Sequence, residues 1–297
     1  MNRLHQPMGS TARRSATLRA TSEPRWLQFL LLGIVSAFLF FFLVLPLLTV
    51  FIGAFSEGLG PALAAFHDPD CFKAIELTLL TASIAVPLNT AFGLAAAWSI
   101  SRFHFPGRAL LIVLIDLPLW VSPVIGGLVF ILLFGRNSAL WPWLDAHNLQ
   151  IVFALPGIVL GTTFVTFPFV ARNVIPLMES LGQAEEEAAL SLGARGWQVF
   201  FLITIPKVKW ALIYGIILCN ARAMGEFGAV SVLSGHIGGR TNTMPLHIQV
   251  LYDDSLFAAS FAVAGLLSLL ALVTLGIKTF IEWRAAHELR LSQQTTA

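Results

Sequence analysis

Charge is scarce in this sequence. Lys, Arg, Asp and Glu make up 11% of its 297 residues, against roughly 25% in an ordinary soluble domain. The net charge is only +2, which excludes a nucleic-acid-binding domain and a chain kept disordered by self-repulsion. Cysteine is almost absent. Cys71 and Cys219 are too few for a disulfide scaffold or a Cys-rich zinc site. No His, Asp and Glu residues cluster at metal-ligand spacing, and no Ser or Cys has a plausible base beside it, so no metal site and no membrane-embedded enzyme is indicated. Apolar residues are abundant instead: 57% of the chain, including 24 Phe and 8 Trp. A water-soluble globule of this size would have to expose large apolar patches.

Those residues gather in six stretches long enough to cross about 30 Å of hydrocarbon: 27–55, 75–100, 109–134, 151–170, 210–233 and 256–281. Their length and lack of period-two alternation predict an all-α integral membrane protein with six transmembrane helices rather than a barrel. There is no internal repeat of the kind found in inverted-repeat secondary transporters. Placing the N-terminus in the cytoplasm puts 14 Lys and Arg inside and only Lys73, Arg136 and Arg240 outside, with Arg222 left in a span. By the positive-inside rule both termini are therefore cytoplasmic. The tail 1–26 is rich in Arg, Ser and Thr, and reads as a disordered cytoplasmic tail or an organellar transit peptide. A short tail, 282–297, closes the chain. Trp141 and Trp143 fit an aromatic belt at the membrane surface. Pro87, Pro118, Pro123, Pro156 and Pro168 lie within spans and predict kinks.

The segment 171–209 between spans four and five is the most informative. Glu185, Glu186 and Glu187 open a short predicted helix at the end where acids favour its dipole, with Gly182 as its cap and Gly193 as a left-handed stop. Ala184, Ala188 and Leu192 recur every fourth residue as one narrow apolar stripe, suited either to another protein's groove or to a solvated connecting helix. A second amphipathic run, 197–205, is expected to end at Pro206 before the fifth span. Within that span Arg222 and Glu226 stand four residues apart, so a salt bridge is available. It either neutralises two charges or serves an anion pathway. Asn220, Asp116 and Glu76 are weaker polar candidates, and Asp116 is placed to pair with Arg222. Beyond the span, Ser234–Thr243 is glycine-rich and carries His236, Arg240 and several hydroxyls. It reads as an oxyanion nest or as a flexible loop.

Glu187-Ala188-Ala189, Gly193 four residues later and Ile203-Thr204-Ile205-Pro206 closely resemble the EAA loop of ABC importer permeases, with Ile205 where that pattern usually has Leu. The run from Ala221 to Ile237, the stretches from Asp116 to Pro123 and from Asp145 to Ile151, and the run from Trp210 to Gly215 further resemble the W-type subunits of the sulfate and thiosulfate permeases. The likeness runs from about residue 27 to residue 284. It implies the type I ABC importer permease fold and a non-catalytic permease in the bacterial inner membrane. It also implies a T-type sister permease, two ATP-binding subunits and a periplasmic sulfate- or thiosulfate-binding protein. Carried over, Glu187, Ala188, Ala189, Gly193, Ile203 and Pro206 would couple to the ATPase, while Asn220, Arg222, Glu226, His236, Arg240 and Asp116 are candidates for the anion's path. A Walker A loop requires G-x-x-x-x-G-K-[ST], and the nearest lookalike, around Gly235 to Thr241, has the wrong spacing and no Lys. ATP and magnesium would belong to the partner. Molybdate or tungstate is the alternative cargo, and a gradient-driven secondary transporter the alternative class, which would leave the EAA-like loop unexplained.

Overall fold

The computed structural model describes residues 24–295, with side chains save those of 25, 61 and 285–295. Residues 1–23, most of the predicted N-terminal tail, lie outside the described residues. The chain divides into two units, up to Thr49 and from Val50 onward. The described part of the first is helical, with a π-helical turn over Phe40–Val44; it belongs to helix α1, Trp26–Ala54.

The second unit is also helical throughout. Helix α2 (Leu59–His67) precedes α3 (Pro69–Arg102), whose N-cap Asp68 accepts from the Asp70 N–H at 3.2 Å and thereby satisfies a free backbone donor. Then follow α4 (Arg108–Trp120), α5 (Pro123–Phe134), the short α6 (Trp141–Ala146) and α7 (Leu155–Leu181). The short α8 (Ala184–Ser191) leads to α9 (Gly196–Met224), α10 (Gly228–Leu233), α11 (Met244–Asp253) and α12 (Phe257–Thr295). Among the described residues five helices are long and apolar enough to cross a membrane, and α4 with α5 supplies a sixth crossing if the bent pair is counted as one span.

That pair breaks the span read over 109–134 at one of its expected kinks: the axis turns by 108° between Trp120 and Pro123. Pro123 has no N–H to continue α4 and instead starts α5, where a missing donor is no loss. Pro156 likewise sits in the first turn of α7, and Pro168 restarts α7 after a break at Phe167, whereas Pro87 lies inside α3 and Pro118 inside α4. The fifth span is shifted as well. It begins near Gly196 and stops at Met224, so Gly228–Leu233 is a separate helix.

Helices α3, α7 and α9 pack through small residues, among them Ala82, Ala97, Val170, Val174, Val208 and Cys219, all buried. A Cβ on Gly93 would stand 2.9 Å from that of Val170, and one on Gly215 would stand 3.1 Å from the Val170 Cα. Such close approach is how helices associate where no water is present to drive burial. Asn89, fully buried at the centre, donates to the Thr163 carbonyl at 3.2 Å and the Thr166 hydroxyl at 2.7 Å, locking α3 to α7.

Candidate functional site

The connection 171–209 is more helical than its polarity suggests. Residues up to Leu181 continue α7, residues from Gly196 belong to α9, and only two short breaks flank α8. Gly182, with φ 66°, ends α7 instead of capping α8, whose N-cap is Gln183. Gly193 does end α8, at φ 90°. The Gly193 and Ala194 N–H groups fold back to the Leu190 and Ala189 carbonyls at 3.0 Å each, which meets the helix's orphan acceptors. Pro206 is no stop. A π-helical turn at Phe200–Thr204 absorbs the irregularity ahead of it, and the helix runs on.

Three adjacent glutamates point about 100° apart around α8 and so meet three environments. Glu185 lies 2.7 Å from Lys207 Nζ and is 69% exposed. Glu186 turns inward. Its Oε2 is 2.7 Å from Arg102 Nε, both side chains being more than 90% buried, and its Oε1 accepts from Arg102 Nη2 and from the Thr204 hydroxyl, each at 2.8 Å. Arg102 also donates to the Met178 carbonyl at 3.0 Å. Glu187 is exposed and makes no ion pair among the described residues. Ala184, Ala188 and Leu192 are exposed on α8, Leu192 at 89%, with Ala189 half-buried beside them. Among the described residues the apolar stripe thus covers nothing. Ile203 is half-buried in the π turn and Pro206 is exposed. Glu186, Arg102 and Thr204 are the residues that sequence reading missed. The available signal was the acidic triplet itself, since three successive helical positions cannot share one face.

At the other end of α9, Arg222 Nη1 and Glu226 Oε2 form the predicted pair at 2.7 Å. Glu226 lies beyond the helix end. Its Oε1 accepts the Ala229 N–H at 2.9 Å and caps α10, burying the carboxylate almost completely while Arg222 stays 35% exposed. Asn220, half-buried two residues before Arg222, points its amide at the Met224 sulfur, 3.4 Å off. Asp116 does not pair with Arg222; it lies 3.5 Å from Arg172 on α7. Glu76 pairs with Lys73 at 2.8 Å. The Ser234–Thr243 loop is not an open nest either. Thr241, Asn242 and Thr243 are buried, and a Cβ on Gly239 would stand only 2.9 Å from Asp70 Oδ1. An internal anion thus occupies the glycine surface. His236, in the left-handed region at φ 54°, and Arg240 remain exposed.

Residues 89–287 match the model of the family described as binding-protein-dependent transport system inner membrane component. The chain belongs to that family. Within it, this permease is 50% identical over 269 residues to the sulfate transport system permease protein CysW of Escherichia coli (strain K12), covering 91% of this chain and 92% of that one. It is 36% identical over 208 residues to the same organism's sulfate transport system permease protein CysT, covering 70% and 75%. Among solved structures, a bacterial alginate ABC transporter in complex with its alginate pentasaccharide-bound periplasmic protein aligns with a TM-score of 0.69 at 18% identity. That alignment covers 86% of this chain and 92% of that one, and at such identity it speaks for the fold, the type I importer permease fold.

Proposed function

We propose that this chain is the W-type permease subunit of an ATP-driven sulfate or thiosulfate importer. The observation that carries the reading is the 50% identity to a CysW protein sustained over 91% of the chain. The chain then sits in the inner membrane with both termini cytoplasmic, beside a T-type sister permease. Two ATPase subunits hold the ATP and magnesium, and a periplasmic binding protein delivers the anion. The permease itself catalyses no reaction.

The geometry supports a division of labour. The exposed Ala184, Ala188 and Leu192 stripe with Glu187 beside it is the coupling surface, where small side chains let an ATPase cleft approach the helix closely. Ala189 backs that surface and Gly193 aims it, while Ile203 and Pro206 carry it into α9. The exposed third of Arg222, with Asn220, offers hydrogen-bond donors to a tetrahedral dianion, while Glu226 holds the guanidinium in place. Arg240 and His236 stand at the outer loop, and Asp116 with Arg172 forms a second polar step. Import against a negative-inside potential opposes each charge by about 2.3 kcal/mol per 100 mV, which an ATP-driven partner can supply.

The test is uptake of labelled sulfate into vesicles holding this chain, its sister permease and the ATPase, with ATP inside and binding protein present or absent on the outer side. Uptake requiring both ATP and binding protein is expected. Uptake driven by an ion gradient without ATP would overturn the importer reading, and ATP-dependent uptake of molybdate but not sulfate would overturn the cargo.

A further inference from the structure

We propose that Arg102, Glu186 and Thr204 form a buried clasp through which the coupling helix moves the transmembrane helices. Arg102 and Glu186 are positioning residues distinct from the surface that meets the ATPase. The inference rests on the importer reading above.

Helix α8 has only eight residues and exposes its apolar stripe, so packing alone holds it weakly to the rest of the chain. A push on its outer face reaches the membrane only through whatever ties it down. The three ties are unequal. Gln183 reaches the Ser101 carbonyl at 3.4 Å, a long contact. The Glu185–Lys207 pair leaves its carboxylate 69% exposed, and solvent screening weakens it. Glu186 alone is buried and held at both oxygens.

The clasp joins four elements at one point. Arg102 is the last residue of α3, and Met178, whose carbonyl it grips, lies in the final turns of α7. Met178's side chain is fully buried in the cluster that unites α3, α7 and α9. Thr204 ends the π-helical turn of α9. That turn inserts an extra residue into the helical register and so sets which way Thr204 faces; here it faces Glu186. From Thr204, α9 runs to Met224, about 30 Å at 1.5 Å per residue, and ends at the Arg222–Glu226 pair. A displacement of α8 is thereby delivered to the helix ends of three spans and, along one of them, to the far side of the membrane. Buried charges suit this task because they fix distance and direction, and a buried pair that loses one partner is strongly disfavoured.

The arrangement predicts three phenotypes for one substitution at three successive residues. The complete complex is reconstituted, and three quantities are measured: ATPase copurified with the permease, ATP hydrolysis stimulated by binding protein, and sulfate imported per ATP hydrolysed. Glu185→Gln should resemble wild type in all three. Glu187→Gln should weaken ATPase retention. Glu186→Gln should retain the ATPase yet import about tenfold less sulfate per ATP, within the usual range of coupling effects. Thr204→Val should do the same more mildly, and Arg102→Glu with Glu186→Arg should recover part of the loss.

An unchanged import-to-hydrolysis ratio in both Glu186→Gln and Thr204→Val would overturn the proposal. So would loss of ATPase from Glu186→Gln with Thr204→Val coupling normally, since the cluster would then serve folding or docking. If wild type imports no sulfate, the cargo reading fails separately, and the clasp is judged on hydrolysis stimulated by binding protein.

Discussion

Removing Arg222 should destabilise the permease more than neutralising Glu226 does. Glu226 has two tasks: Oε1 caps α10 through the Ala229 N–H, and Oε2 faces Arg222 Nη1 at 2.7 Å with 1% of the side chain exposed. Arg222→Ala strands a buried carboxylate, a loss of about 3–5 kcal/mol. Glu226→Gln keeps a carbonyl oxygen for the cap, and the guanidinium left behind is 35% exposed, so solvent reduces the loss to about 1–2 kcal/mol. Glu226→Ala adds the lost cap, about 1 kcal/mol more. Arg222→Gln with Glu226→Gln replaces two charges by two amides and should regain most of the stability. Thermal midpoints of the purified complex, read by the monodisperse fraction surviving each temperature, give this order directly. Arg222→Ala as stable as wild type, or a double variant no better than Arg222→Ala, would refute the reasoning. If the double variant is stable but imports nothing, the guanidinium is needed by the anion as well as by the fold.

Other consequences are open to simpler tests. Gly193 adopts φ 90°, so Gly193→Val forces a branched side chain into the left-handed region at about 1–2 kcal/mol; import should fall while the span helices, followed by circular dichroism, persist. Leu192→Asp, at a position 89% exposed, should leave the stability within about 0.5 kcal/mol of wild type and abolish copurification of the ATPase. A Cβ on Gly127 would stand 2.7 Å from the Ala229 carbonyl oxygen. Gly127→Ala should therefore push α5 off α10 and lower stability by about 1–3 kcal/mol. Burial lowers the pKa of His247 below its ordinary 6.5, against the opposing pull of Asp68 and Asp70. The unfolded chain then binds the proton more readily, so this contribution is complete above pH 6.5 and is lost as pH falls below it. His247→Gln should flatten that acid-side decline in the thermal midpoint.

Hydropathy made the number and approximate place of the spans legible, because each crossing must be apolar over its own length whatever its neighbours do. Helix α8 was legible for a related reason: acids, alanines and a terminating glycine declare a short helix locally. What failed were readings that treated polarity as the end of a helix. Residues 171–181 and 196–209 are helical although they carry Arg172, Glu179, Lys207 and Lys209, since a helix that leaves the membrane needs no apolar surroundings to keep its own hydrogen bonds. In 109–134 hydropathy joins two helices, since the residues are apolar apart from Asp116 and Ser122, and the missing N–H of Pro123, where a kink is expected, marks the 108° turn.

Charge pairing divides along the same line. Arg222 and Glu226 were paired from sequence because four residues bring them within reach on or near one helix. Asp116 went to Arg172, and Arg102 found Glu186 across 84 residues, choices that depend on which helix ends meet. The Ser234–Thr243 loop has the composition of an anion nest, yet Asp70, from the start of α3, already lies against its glycines. Composition and spacing therefore determined the membrane class and the short helix α8, both set by local chemistry. Tertiary structure alone decided that the α8 stripe is exposed and which buried charges hold α8 to the spans, because the partner of a buried charge is whatever group the packing brings within about 3 Å.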